Sequence, residues 1–284
     1  MPIGIAYLDG PRLARSMFAA SEWVAAGREE INRINVFPVP DGDTGTNLSL
    51  TLRAVADALQ ALGDAPLPET ARTMARAAVL GARGNSGMMM AHFLLGVSES
   101  LGDRLEASAT DIAGAVRHGV TRLYAALDDP REGTILTVAR EVADAAERAA
   151  SRSPDIAAFI QHLHEEGEVA LAGTPKLLSS LREAGVVDAG GKGFVRMLEG
   201  MVRFIKGDPI LAAAPLPGED LPAPAALVEV AEERDYQFCT EVLVRGEQLP
   251  PANEVRTLMH SFGGSVVVVS TADILKIHVH TDTP

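Results

Sequence analysis

Asp41 and Asp43 stand two apart in Asn35-Val-Phe-Pro-Val-Pro-Asp-Gly-Asp-Thr-Gly-Thr-Asn47, a segment stiffened by Pro38 and Pro40 and opened by Gly42 and Gly45. Two hard carboxylates in one rigid loop suit Mg²⁺, which takes oxygen ligands and fills its other positions with water or phosphate oxygens. Thr44, Gly45, Thr46 and Asn47 follow at the start of an apolar helix. Their N–H groups and hydroxyls would meet a phosphate at the positive end of that helix. An Asx-rich cap uses the same residue types, but the paired prolines and the Thr-Gly-Thr-Asn tail favour the functional reading.

Three more turns repeat the theme. Gly81-Ala-Arg83-Gly84-Asn85-Ser86-Gly87 precedes Met88-Met89-Met90, Arg131-Glu-Gly133-Thr134 precedes Ile135, and Asp188-Ala-Gly190-Gly191-Lys192-Gly193 precedes Phe194. Singly, each is a glycine-rich connection that lets helices pack. Together they supply phosphate-cradling backbone at Gly84, Asn85, Ser86, Gly87, Gly133, Thr134, Asp188, Gly190 and Gly191. Arg83 and Lys192 are the cations to steady charge on a transferred group. No Walker-type Gly-x-x-x-x-Gly-Lys-[Ser/Thr] and no Gly-x-Gly-x-x-Gly after a strand occurs, so the common nucleotide folds are not supported.

The elements that must position these turns are helical through residue 208. Apolar residues recur at three and four in Leu13-Met17-Ala20-Val24, Leu48-Leu52-Val55-Leu59 and Ile112-Val116-Val120-Leu123. This predicts helices near 9–34, 46–63, 68–82, 86–100, 109–127, 134–151, 154–171, 175–184 and 190–206. Ser108 to Asp111 reads as a capping box, and Ser153-Pro154 and Thr174-Pro175 as cap-plus-first-turn pairs. The result is an all-helical antiparallel bundle of eight helices with one short extra piece. In an up-and-down bundle every second connection lies at the same end, so the four turns are expected to gather at one pole. Met88 to Met90 reads as core packing, and His92, His118, His162 and His164 as solvated helix faces. Nothing in the helical part signals a lipid-sized cavity.

Prolines 209, 215, 217, 222 and 224 mark 209–228 as an extended linker. Beyond it, β-branched runs at Phe238–Val244, Ser265–Ser270 and Ile274–His280, with a helix over Pro251–Phe262, begin a smaller α+β domain over 229–284. No closing element follows His280, so the chain reads as truncated or as a short relative of something longer.

Charge narrows the partners. Lys plus Arg number 25 against 38 Asp plus Glu, net −13, which repels nucleic-acid phosphates. A nucleotide then needs metal ions to supply positive charge. The longest apolar runs, such as Val266–Val269, fall far short of the about 20 residues of a membrane span. A lone cysteine and no secretion signal fit a cytoplasmic compartment.

The four motifs, in that order, resemble the nucleotide-binding domain shared by dihydroxyacetone kinases and the fatty acid kinase catalytic subunit. The resemblance covers nearly all of 9–206. It implies an eight-helix antiparallel barrel that binds ATP with two Mg²⁺ ions, Asp41 and Asp43 being metal ligands. Asn35 stands about where dihydroxyacetone kinases have a further aspartate, and Thr44 where they have histidine; both departures favour the fatty acid kinase branch. Tyr236-Gln-Phe-Cys239-Thr-Glu241 with Lys276-Ile-His278-Val-His280-Thr-Asp282 is similar to the middle domain of that kinase, which implies a zinc site at Cys239, His278 and His280. Alternate strand residues share a face, and a thiolate with two imidazoles is a zinc-type set; His260, Glu241 or water would complete it. The implied reaction is γ-phosphoryl transfer to a fatty acid carboxylate held on a separate fatty-acid-binding protein. The nucleotide subunit of a dihydroxyacetone kinase and a non-catalytic nucleotide-binding scaffold stay open, as does a homodimer.

Overall fold

In the computed structural model, residues 4–151, 155–210 and 236–284 are described. The helices are α1 (Gly10–Ala26), α2 (Arg28–Arg33), α3 (Thr44–Leu62), α4 (Leu67–Gly81), α5 (Gly84–Leu101), α6 (Ala109–Ala125), α7 (Ile135–Ala150), α8 (Ile156–Leu177), α9 (Ser179–Ala184) and α10 (Ala189–Lys206). Each long one buries an apolar stripe at three- and four-residue spacing, as in Leu13, Met17, Ala20 and Val24 of α1. Neighbours in space run α1–α3–α4–α5–α6–α7–α8–α10 and return to α1, a closed eight-helix ring. Met88, Met89 and Met90 are buried in its core, as expected.

At one pole the N-termini of α1, α6 and α8 are closed by their own N-cap side chains. Asp9 accepts from Arg12 N–H, Ser108 forms the expected capping box with Asp111, and Asp155 accepts from Ala157 N–H. An apolar cavity of about 350 Å³ lies inside this end, lined by residues such as Leu13, Met17, Leu94, Ile112, Leu163 and Met201. No cavity was expected here. The helical period tells which residues face inward but not how closely they meet.

Other expectations are corrected locally. The helix over 9–34 breaks at Gly27 into α1 and α2, where the buried Arg196 side chain occupies the space a Cβ would need. Thr174-Pro175 starts no helix, because α8 runs through Pro175. Proline lacks the N–H that would bond Leu171 C=O; Thr174 Oγ1 donates to that carbonyl instead, at 2.7 Å. Ser153-Pro154 and most of the 209–228 linker lie outside the described residues.

The second unit holds β1 (Phe238–Arg245), α11 (Ala252–Met259), β2 (Gly264–Ser270) and β3 (Ile274–Thr281), so the predicted helix is shorter than 251–262. The strands form an antiparallel sheet in the order β1-β3-β2. Strand alternation gives it two faces. Val266, Val268, Leu275, Ile277 and Val279 pack beneath α11, while Val267, Val269 and Ile274 join the barrel core. On that barrel side His92 of α5 is buried rather than solvated, because the sheet covers it. His118 is exposed as expected; His162 and His164 are half-buried.

Candidate functional site

The other pole carries the four glycine turns, and the structure brings them together. Gly84 at the head of α5 has φ +55, and a Cβ there would overlap Asn47 Nδ2 of the first turn. Arg83 N–H donates to Thr51 Oγ1 of α3 at 3.1 Å. A Cβ on Gly45 would strike Arg28 C=O, so only glycine lets α3 begin that close to α2. Lys192 of the fourth turn reaches Glu30 of α2 at 3.3 Å. Buried Asp188 accepts from Gly191 N–H at 2.7 Å, and a Cβ on Gly190 would touch Ile135, so the third turn packs against the fourth. Burial pushes the Asp188 carboxyl up to about 6.

Asp41 and Asp43 sit side by side in the first turn, both reaching the surface. Desolvation by the surrounding loop, then the Asp43 charge, push the Asp41 carboxyl up to about 6. Among the described residues neither acid forms an ion pair, so the pair lacks a cation. That chemistry fits a divalent ion with oxygen ligands. Asn35 is buried, and its amide brackets the loop. It donates to Val39 C=O at 2.7 Å and toward Asp41 Oδ1 at 3.4 Å, and it accepts from the Thr44 N–H and hydroxyl. With both ends of the amide in use, Asn35 sits as a loop brace beside the acids.

Two of the helix starts at this pole, those of α3 and α5, are closed differently from α1, α6 and α8 at the other. The N-caps of α3 and α5 (Asp43 and Arg83) make no side-chain cap bond. Asn32 and Asn35 accept from Thr46 and Thr44 N–H instead. Thr134 and Asp188 cap α7 and α10 conventionally. The Gly45, Asn85 and Ser86 N–H groups have no partner among the described residues, so they are the backbone donors at hand for an anion. Asn32 and Glu30 were invisible as site residues, since neither belongs to a glycine motif.

The sheet reaches the same pole. Cys239 pairs with His280 and Glu241 with His278 across β1 and β3, so all four side chains and Lys276 share the barrel-facing side. The Cys239 sulfur and one ring nitrogen from each histidine lie within 4.8 Å of one another; Cys239 Sγ is 3.8 Å from His278 Nδ1. Tetrahedral zinc with bonds of about 2.0–2.3 Å spaces its ligands about 3.3–3.8 Å apart; the Cys239–His278 pair meets that spacing, and the thiol and two imidazoles are the donor types such an ion takes. Burial raises the Cys239 thiol, followed by Glu241, Asp43 and Asp41; all three carboxylates are therefore within electrostatic reach of the sulfur. Burial and the neighbouring His280 lower His278 to about 4. His260 is turned away and pairs with Asp128 at 2.6 Å, removing it as a fourth partner in this arrangement.

Neither expected cation stands alone. Arg83 Nη1 donates to Glu241 Oε2 at 3.3 Å, and Gly84 N–H donates to Glu241 Oε1 at 2.9 Å.

A DAK2-domain model matches residues 38–203, and a model of the middle domain of FakA-like fatty acid kinase proteins matches 235–284. The chain belongs to the DAK2-domain family, as a member that also carries the FakA-like middle domain. Protein YloV of Bacillus subtilis is 34% identical over 99% of the chain and 53% of its own length. An uncharacterized protein of Staphylococcus saprophyticus is 36% identical over 99% of the chain and 52% of its own. The chain thus spans about half the length of the curated relatives it matches. The crystal structure of dihydroxyacetone kinase from C. freundii in complex with AMP-PNP and Mg²⁺ aligns with TM-score 0.52 at 15% identity, over 67% of this chain and 33% of that one. That likeness is one of fold. No helix among the described residues is long and apolar enough to cross a membrane.

Proposed function

We propose that this chain is the nucleotide-handling part of a kinase that transfers the γ-phosphoryl group of ATP to a fatty acid carboxylate presented by a separate fatty-acid-binding protein. One observation carries the reading: four turns distant in sequence, two unpaired aspartates and the Cys239–His278–His280 group meet at a single pole. Asp41 and Asp43 would hold Mg²⁺, whose role is to neutralise phosphate charge. Gly45, Asn85 and Ser86 offer their N–H groups to phosphate oxygens; Thr44, Thr46, Asn47, Gly84, Gly87, Gly133, Thr134, Gly190 and Gly191 shape the cradle. Arg83 and Lys192 supply charge opposite the transferred group, once released from Glu241 and Glu30.

Phosphoryl transfer is chiefly positioning and charge neutralisation. An acceptor carboxylate is already ionised at neutral pH, so its oxygen forms the new P–O bond without a general base. The bond from γ-phosphorus to the β-bridging oxygen breaks, and ADP leaves with that oxygen. Cys239, His278 and His280 would hold Zn²⁺ beside this pole.

Titration calorimetry with AMP-PNP is the test. Binding is expected with Mg²⁺ and not without it; metal-independent binding overturns the assignment of Asp41 and Asp43. For the second site, zinc content of Cys239→Ser equal to wild type excludes the thiolate as a ligand.

A further inference from the structure

Among the described residues, Glu241 is the acidic side chain of the sheet that reaches into a glycine turn of the barrel. Its side chain is 20% exposed. Oε1 accepts from Gly84 N–H at 2.9 Å, and Oε2 lies 3.3 Å from Arg83 Nη1 and 3.5 Å from Lys276 Nζ. Lys276, itself buried, is fixed by donating to Leu80 and Ala82 C=O at the end of α4. The carboxylate is thus held from both sides: by the barrel through Arg83 and Gly84, and by its own sheet through Lys276. What it occupies is the first N–H of α5, next to the Asn85 and Ser86 N–H groups offered to phosphate in the nucleotide reading above, and the Arg83 guanidinium that reading uses.

We infer that Glu241 is an intramolecular plug of the phosphate cradle, so that nucleotide phosphate and the β1 carboxylate exclude one another at Gly84 and Arg83. This rests on the nucleotide reading and adds a regulation to it. Like charges cannot share those donors, and two acids of the first turn, Asp41 and Asp43, already raise the negative charge of the pole. The competition is reciprocal by linkage. Phosphate that takes Gly84 and Arg83 frees Glu241, and loss of Glu241 removes the fraction of molecules closed to phosphate. Lys276 keeps its carbonyl partners in either state, so the sheet stays anchored at α4 while its β1 edge lets go.

Calorimetry on the whole chain tests this with Mg·AMP-PNP and, separately, Mg·tripolyphosphate. Glu241→Ala should bind both roughly threefold to tenfold more tightly than wild type, and Glu241→Gln, which keeps an acceptor but loses the charge, should fall between. Glu254→Ala, which removes an exposed acid of α11, should match wild type. Equal or weaker binding by both Glu241 variants overturns the plug. So does an equal gain in Glu254→Ala, which would mean only that net charge had fallen, or a gain confined to AMP-PNP, which would make the adenosine the competitor. If wild type and every variant fail to bind either probe, the nucleotide reading falls and takes the plug with it. Binding without a Glu241 effect sinks the plug alone. Thermal unfolding of each variant verifies folding, and the Gln variant decides if Ala does not fold.

Discussion

The two poles of the barrel are made from the same helices, and they differ in how two of the helix starts at the turn end, those of α3 and α5, are closed. At the cavity end, α1, α6 and α8 satisfy their first N–H groups with their own N-cap residues, Asp9, Ser108 and Asp155. At the turn end, α3 borrows Asn32 and Asn35 from the preceding helix and its loop, and α5 borrows Glu241 from the other unit. A cap supplied by the adjacent residue is a property of the chain and hard to displace. One supplied from elsewhere leaves when that element moves. The difference separates helix ends that only hold the fold from ends that can exchange partners.

Perturbations should therefore sort by pole. The largest effect is expected from Asp41→Ala/Asp43→Ala: loss of Mg·AMP-PNP affinity on the order of 10³-fold, about 4 kcal/mol, with the thermal midpoint nearly unchanged because both acids reach the surface. Unfolding together with lost binding would show that the turn end is structural too.

Next comes the seam between barrel and sheet. Among the described residues His92 has no hydrogen-bond partner for either ring nitrogen; the Val268 backbone is near but outside bonding geometry. Burial, then the Arg122 charge, lower its pKa to about 4. The folded protein therefore keeps His92 neutral while the unfolded chain takes up a proton below about 6.5. The stability this neutrality secures is complete above pH 6.5 and is lost as pH falls toward 4, by about 3 kcal/mol. Denaturant unfolding at pH 7, 5.5 and 4.5 should show that slope, and His92→Leu should flatten it; an unchanged slope assigns the loss to other groups.

Gly84→Ala should cost about 2 kcal/mol, since the residue has positive φ and Asn47 fills the space. It should also weaken Mg·AMP-PNP binding by moving the α5 start. The smallest effect belongs to the cavity pole, where Ser108→Ala should lower stability by about 1 kcal/mol and leave nucleotide affinity untouched. A binding defect there would erase the distinction between the poles.

Much of the turn pole was legible because its glycines and acids are local in sequence and because alternating connections in an up-and-down bundle share an end. The ring order follows from the same short connections. What was hidden depended on partners far along the chain. Gly84 and Glu241 are 157 residues apart, and a strand glutamate beside histidines reads as a ligand candidate rather than as a helix cap. His92 looked solvated because helical spacing cannot reveal that a sheet from another unit covers the face. Pro175 looked like a helix start because the rule for proline does not include a preceding threonine that replaces the missing donor.

Lys276 grips the carbonyl end of α4 while Glu241 grips the amide end of α5, one turn apart in the chain. The two helices present opposite partial charges at that junction, and the strand pair presents the matching cation and anion. A sheet rotated by half a revolution would set acid against carbonyls and ammonium against amides. Polarity at the junction therefore favours this seating of the sheet over the reversed one, alongside the apolar seam of Val267, Val269 and Ile274, and in this seating Cys239 lies within electrostatic reach of the acids of the first turn.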